Sequence, residues 1–113
     1  MKIVFIALMI LHGIIHSMGF FKAFRIADLA QLVHPIPKSS GVLWLVACLL
    51  FIFAAILFSV NRQSWWIFSA LALILSQYLI INDWNDAKFG TAANLIILLV
   101  TTIGFVVWAI AKI

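Results

Sequence analysis

The sequence contains no glutamate, and aspartate occurs only at Asp28, Asp83 and Asp86. Charged residues make up 9% of the 113 positions, so ionisable groups are scarce. The seven lysines and arginines are scattered along the chain and form no basic patch. That excludes a nucleic-acid footprint and reads instead as membrane-interface anchoring. A single cysteine, Cys48, excludes an intrachain disulfide and carries no information on redox compartment. No nucleophile–base arrangement and no phosphate-binding glycine loop is visible, so nothing indicates an enzyme. Internal repeats and low-complexity tracts are also missing.

What the chain has in quantity is apolar surface. Hydrophobic residues make up 67% of it, and the mean hydropathy is +1.28. A soluble domain of this length could not hide so much, because a small fold still leaves roughly 40% of its unfolded-chain surface in water. Lipid is therefore the expected solvent. Four apolar runs, at residues 3–21, 41–60, 65–81 and 91–111, each approach the about 20 helical residues needed to cross the hydrocarbon core. They lack the period-two alternation of strands, and lipid demands that every peptide group be paired within its own segment. The expectation is an all-α, integral membrane four-helix bundle forming one domain. The first run has no small-residue cleavage site, since Ser17-Met18-Gly19 leads into bulky Phe20 and Phe21, so it is expected to be retained.

The connections are short. Residues 61–64 make the second and third helices antiparallel neighbours, and residues 83–90 join the third to the fourth. In the longest connection, Ile26, Leu29, Leu32 and Val33 share one side and Asp28 and Gln31 another. This spacing predicts a short interfacial helix, ended by His34-Pro35-Ile36-Pro37. Ser39 or Ser40 is expected to cap the second helix, and Thr91 the fourth after a turn at Gly90. Trp44, Trp65, Trp66, Trp84 and Trp108 fall near helix ends, as an aromatic belt should. Lys2, Arg62 and Lys112 lie on one side of the membrane and Lys22, Arg25, Lys38 and Lys88 on the other, a balance that selects neither orientation.

Polar residues at membrane depth mark where function could reside. In "LHGIIHSMGF", His12 and His16 share a helical stripe with Phe5, Met9, Gly13 and Gly19. Ser69, Ala70, Ser76 and Gln77 make a small and polar face on the third helix. Asn94, Thr101 and Trp108 recur on the fourth, and Trp44, Cys48 and Ala55 on the second. At 1.5 Å per residue His16 lies ~20 Å into its helix and Gln77 ~18 Å into the third, which starts from the same side. Gln77 is thus the expected hydrogen-bond partner of the histidines, while Asp83 and Asn94 are placed near the far interface.

Three readings of this cluster stand side by side. His12, His16, Gln77, Asp83, Asp86 and Asn94 form a candidate polar or ligand site. Imidazoles at i and i+4 can point at one metal ion that Asp83 or Asp86 completes. They can carry a proton. Or they can bond across helices with no further role. Lying on one side, the pair cannot give both axial ligands to one haem, and the other helices hold no histidine. No cofactor is favoured.

"LHGIIHSMGFFKAF" and "DWNDAKFGTAANLIILL" resemble a family of small four-span bacterial membrane proteins whose motifs have no assigned chemistry, loosely similar to DoxX-like proteins, which are associated with quinone-linked respiratory complexes. The resemblance covers most of the chain. It implies a multi-pass protein of the bacterial inner membrane and supplies no catalytic residue. The chain also matches dimeric multidrug transporters in length, but lacks the glutamate in helix one on which those depend. Three functions follow as expectations: a structural or accessory subunit, or self-assembling homo-oligomer, in the bilayer; a small proton-coupled transporter or channel using the histidines; and a metal- or quinone-linked redox protein.

Overall fold

The computed structural model describes residues 1–26 and 35–113. Among these there is no strand. Helices α1 (Lys2–Ala23), α2 (Lys38–Ser59), α3 (Trp65–Asn82) and α5 (Gly90–Lys112) are each long and apolar enough to cross a membrane, and a one-turn helix, α4 (Trp84–Ala87), lies between α3 and α5. The chain is a multi-pass helical bundle, 48 Å along its long axis. The order up, down, up, down places α1 against α2, α2 against α3 and α3 against α5, with a lighter contact closing α5 onto α1. The interfacial helix expected from Leu29, Leu32 and Val33, together with Asp28 and His34, lies outside the described residues.

The helices run somewhat beyond the apolar segments, and their ends explain why. α2 begins at Lys38, directly after Pro37 in an extended conformation, so Ser39 and Ser40 lie inside the first turn and cap nothing. Its first helical bond runs from Gly41 N–H to the Pro37 carbonyl at 2.9 Å. α1 and α2 end alike. Ile26 N–H bonds the Phe21 carbonyl and Arg25 N–H that of Lys22, while Arg62 N–H bonds Leu57 and Asn61 N–H bonds Phe58. These are the paired bonds of a Schellman motif. The left-handed position is filled by Arg25 (φ 56°) and Asn61 (φ 61°), not glycine. Asparagine tolerates that conformation; the sequence offers no such reason at Arg25. Asn61 Oδ1 also accepts a 2.6 Å bond from Lys2 Nζ, tying the start of α1 to the α2–α3 turn.

The core faces follow the sequence stripes. Phe5, Met9, His12, Gly13, His16 and Gly19 are all buried on α1, and Trp44, Cys48 and Ala55 on α2. Two tryptophans depart from the belt. Trp44 and Trp65 are turned inward, 7% and 8% exposed. Trp65 packs edge-on against Phe5 and Phe58, with ring centroids 5.8 and 4.8 Å away. Trp44 lies across Gly19, where a Cβ would come within 2.3 Å of the indole. Small residues let the helices approach one another within the bundle. Ala47, Ala54, Ala55, Ala72, Ser69 and Ser76 are fully or almost fully buried.

The α1–α2 seam depends on one especially close approach. A Cβ on Gly41 would sit 2.3 Å from Ala23 Cβ, a contact between two atoms that no rotamer change can relieve. Gly41→Ala should therefore force the helices apart and cost about 1–3 kcal/mol, measured by unfolding in mixed micelles, while Ala92→Gly on the exposed side of α5 should cost under about 1 kcal/mol.

Candidate functional site

Three helices bring their polar residues together at the middle of α1. His12 Nε2 lies 2.7 Å from Asn94 Oδ1 on α5, and His16 Nε2 lies 2.6 Å from Ser76 Oγ on α3. His16 Nδ1 lies 2.7 Å from the His12 carbonyl, one turn back in α1. Asn94 Nδ2 donates to Ser76 Oγ at 3.0 Å and to Gln77 Oε1 at 3.1 Å. His12, His16, Ser76 and Asn94 are all buried, none more than 5% exposed.

Proton counting gives these contacts a direction. A carbonyl can only accept, so His16 Nδ1 carries a hydrogen. In the neutral ring its Nε2 is then a bare lone pair, and Ser76 must donate to it. The single Ser76 proton is thereby used, so its 3.3 Å approach to Asn94 Oδ1 is a close contact and not a second donation. Ser76 Oγ accepts from Asn94 Nδ2, and Asn94 Oδ1 accepts from His12 Nε2–H. The amide orientation is assigned from this network, and Gln77 Oε1 beside Nδ2 supports it. The result is a closed ring, with His12 donating to Asn94, Asn94 to Ser76, Ser76 to His16 and His16 to the His12 carbonyl. Bonds aligned head to tail polarise one another. A second, separate bond joins α3 to α5 farther along, between Ser69 Oγ and Thr101 Oγ1 at 2.7 Å.

Three sequence expectations are corrected here. Gln77 lies at the anticipated depth but does not bond a histidine. Ser76, ~100° around the helix, faces α1, while Gln77 is turned to α5 and donates to Thr91 Oγ1 at 3.1 Å. That use of the Thr91 hydroxyl removes it as a cap, and Phe89 is the N-cap residue with no side-chain bond. Asn94 is level with His12 at mid-depth of α1, not near the far interface. α5 starts near the level where α3 ends, well short of the end of α1, and the connecting residues 83–89, none of them buried, cross there. A Cβ on Gly90 would lie 3.6 Å from His12 Cε1. Ser76 was named as part of a polar face, but its pairing could be found only with the helix phase known.

The start of α5 short of the end of α1 also opens a cavity. α1 continues ~16 Å beyond His12 to its end, whereas α5 begins only ~6 Å before Asn94. The projecting parts of α1 and α2 and the α4 connection enclose about 450 Å³. His12, His16 and Gly19 line one wall, Trp44 another, and Asp83 and Asp86 the side formed by the connection. The site residues named from sequence thus separate into two groups. His12, His16, Asp83 and Asp86 face the cavity, while Asn94 and Gln77 stand behind it. The rest of the lining is mostly apolar.

As arranged, the histidines do not offer two lone pairs to one ion. Three of the four imidazole nitrogens already hold hydrogen bonds, and among the described residues no three His, Cys, Asp or Glu side chains converge as a ligand set. Fold and site together define a multi-pass helical bundle with a buried polar ring beside a largely apolar cavity. No protein-family model matches the chain, and neither a curated protein nor a solved structure matches it.

The ring ranks the polar residues by consequence. Asn94→Leu removes the bonds to His12, Ser76 and Gln77 at once and should cost about 2–4 kcal/mol, whereas Thr101→Val breaks one bond and should cost about 0.6–1.7 kcal/mol. Unfolding of both variants in the same micelles measures the difference.

Proposed function

We propose that this chain is a bacterial inner-membrane protein that holds a small, largely apolar molecule in the cavity between α1, α2 and the α3–α5 connection. The observation that carries this reading is the cavity itself. Its volume of about 450 Å³ lies in the range of small-molecule sites, about 300–1,000 Å³, and its lining combines apolar walls with a few convergent polar groups, as such sites do. The buried ring sits at its inner wall and fixes the rotamers of two lining histidines. The bacterial inner membrane rests on the resemblance of "LHGIIHSMGFFKAF" and "DWNDAKFGTAANLIILL" to small four-span proteins of that membrane.

A structural or accessory role beside other membrane subunits is the second reading. It draws on α5, of whose apolar window 17% is buried, against 33–39% for the other three spans. The outward α5 residues include Leu95, Leu99, Ile103, Val107 and Ile110, bulky side chains suited equally to lipid.

Purification in lipid nanodiscs, followed by solvent extraction and mass spectrometry, separates the readings. The wild-type chain should carry one small molecule enriched over bulk lipid. Ala93→Phe, which fills the cavity from α5, should lose it while retaining helicity and melting temperature. Equal extracts from the two proteins, with co-purifying membrane subunits, would support the accessory role instead.

A further inference from the structure

α1 and α5 are bonded to each other at His12–Asn94. Between that bond and the Lys2 end of the bundle they enclose a groove of about 530 Å³, which shares no lining residue with the cavity described above. Val4 and Leu8 of α1 form one side, and Ile96 and Val100 of α5 the other. These four side chains are pure hydrocarbon. Val4 and Ile96 are 60% and 53% exposed, so the groove opens toward the lipid around the spans. From Lys2 to Leu8 it runs ~9 Å along α1. A strip of this shape and composition accepts an alkyl chain lying along the helices.

The head of the groove differs in kind. Lys2 and Asn61 stand there with the Phe58 ring. Lys2 Nζ donates to Asn61 Oδ1 at 2.6 Å and lies 5.4 Å from the centre of the Phe58 ring. These two contacts hold a long, rotatable side chain at the mouth. An ammonium group has three donors, so two remain for a ligand. The surrounding side-chain charge is of one sign. Arg62 follows Asn61 directly, and Lys112 ends α5 on the same side. Among the described residues no carboxylate side chain stands at this end, because Asp83 and Asp86 belong to the α3–α5 connection at the other.

An apolar trench beneath a positioned cation, with no side-chain anion to balance it, fits a molecule that is hydrocarbon along its length and negative at its head. We propose that the groove binds one anionic phospholipid, with an acyl chain between α1 and α5 and the phosphate on Lys2. A zwitterionic lipid offers the same phosphate and the same chain. Its ammonium enters the field of Lys2, Arg62 and Lys112 with no carboxylate to receive it, so the net charge of the headgroup decides between the two. Lys2 positions the phosphate, and the groove separates a seated lipid from one drawn loosely to a basic surface.

The test adds phosphatidylglycerol or phosphatidylcholine of identical chains to the protein in micelles and counts bound lipid by native mass spectrometry. The first phosphatidylglycerol should bind roughly fivefold more tightly than phosphatidylcholine, the factor expected for one cation at an anionic headgroup. Lys2→Gln should abolish the preference and Lys2→Arg should keep it. Lys38→Gln removes a cation from the other end and should leave it unchanged. Ile96→Trp, at a half-exposed position that tolerates bulk, fills the groove and should weaken both lipids with Lys2 intact. Glycerol phosphate, a headgroup without chains, should fail to displace the lipid. Equal binding of the two lipids, or a preference lost as readily in Lys38→Gln as in Lys2→Gln, overturns the headgroup assignment. A preference that survives Ile96→Trp, or that glycerol phosphate competes away, is surface attraction alone and overturns the groove.

Discussion

The ring of hydrogen bonds through His12, Asn94, Ser76 and His16 is the interaction on which the rest of the structure depends. It is the only place among the described residues where side chains of α1, α3 and α5 are bonded to one another in a single network. Lipid provides no hydrophobic drive to bring helices together, so packing and interhelical hydrogen bonds must do it. A ring of this kind has exacting requirements. Each donor must meet its acceptor within a few tenths of an ångström, which demands that the backbones approach closely. Gly19 and Gly41 allow that approach on the α1–α2 seam, and fully buried Ala72 and Ser69 allow it on α3. Many other bulky side chains, Leu11, Ile74 and Leu99 among them, face outward, where lipid takes the place of core.

The ring also explains why the cavity lies where it does. Asn94 must be level with His12, and it is only four residues into α5. α5 therefore starts well short of the end of α1, and the connection from α3, with α4, crosses at that level. α1 and α2, held together by their own glycine seam, continue past that point. The space between their projecting ends and the connection is the cavity. A proton path is less well served, because the donors run in a circle and end on the His12 carbonyl. The geometry suits a fixed wall better than a wire.

Much of this was legible in the sequence. The four spans, their approximate limits and the inward faces of α1 and α2 follow from hydropathy and 3.6-residue periodicity, because lipid permits little else. The depth of Gln77 was also right to within one residue. Its face was not, since a single residue turns the side chain by ~100° and no apolar pattern reports helix phase to that accuracy when every face is apolar. Asn94 was misplaced because depth was counted from a connection assumed to lie level with the end of α1, and nothing in "NDWNDAKFG" announces that it crosses short of that level. Trp44 and Trp65 were read as interfacial by their position near helix ends. Glycine and aromatic partners across the seam, invisible to a linear reading, turned them inward. The helix end at Arg25 had no signal either, because an arginine in the left-handed position looks like any other interfacial cation.

The proton assignment is the central claim, and nitrogen-15 spectroscopy of the two imidazoles tests it most directly. Closed in the stated direction, the ring requires two neutral histidines of opposite tautomer, with the hydrogen of His12 on Nε2 and that of His16 on Nδ1. Ser76→Ala should disturb the Nε2 resonance of His16 far more than either resonance of His12. Two histidines of the same tautomer, or an imidazolium at either position at neutral pH, would contradict the account.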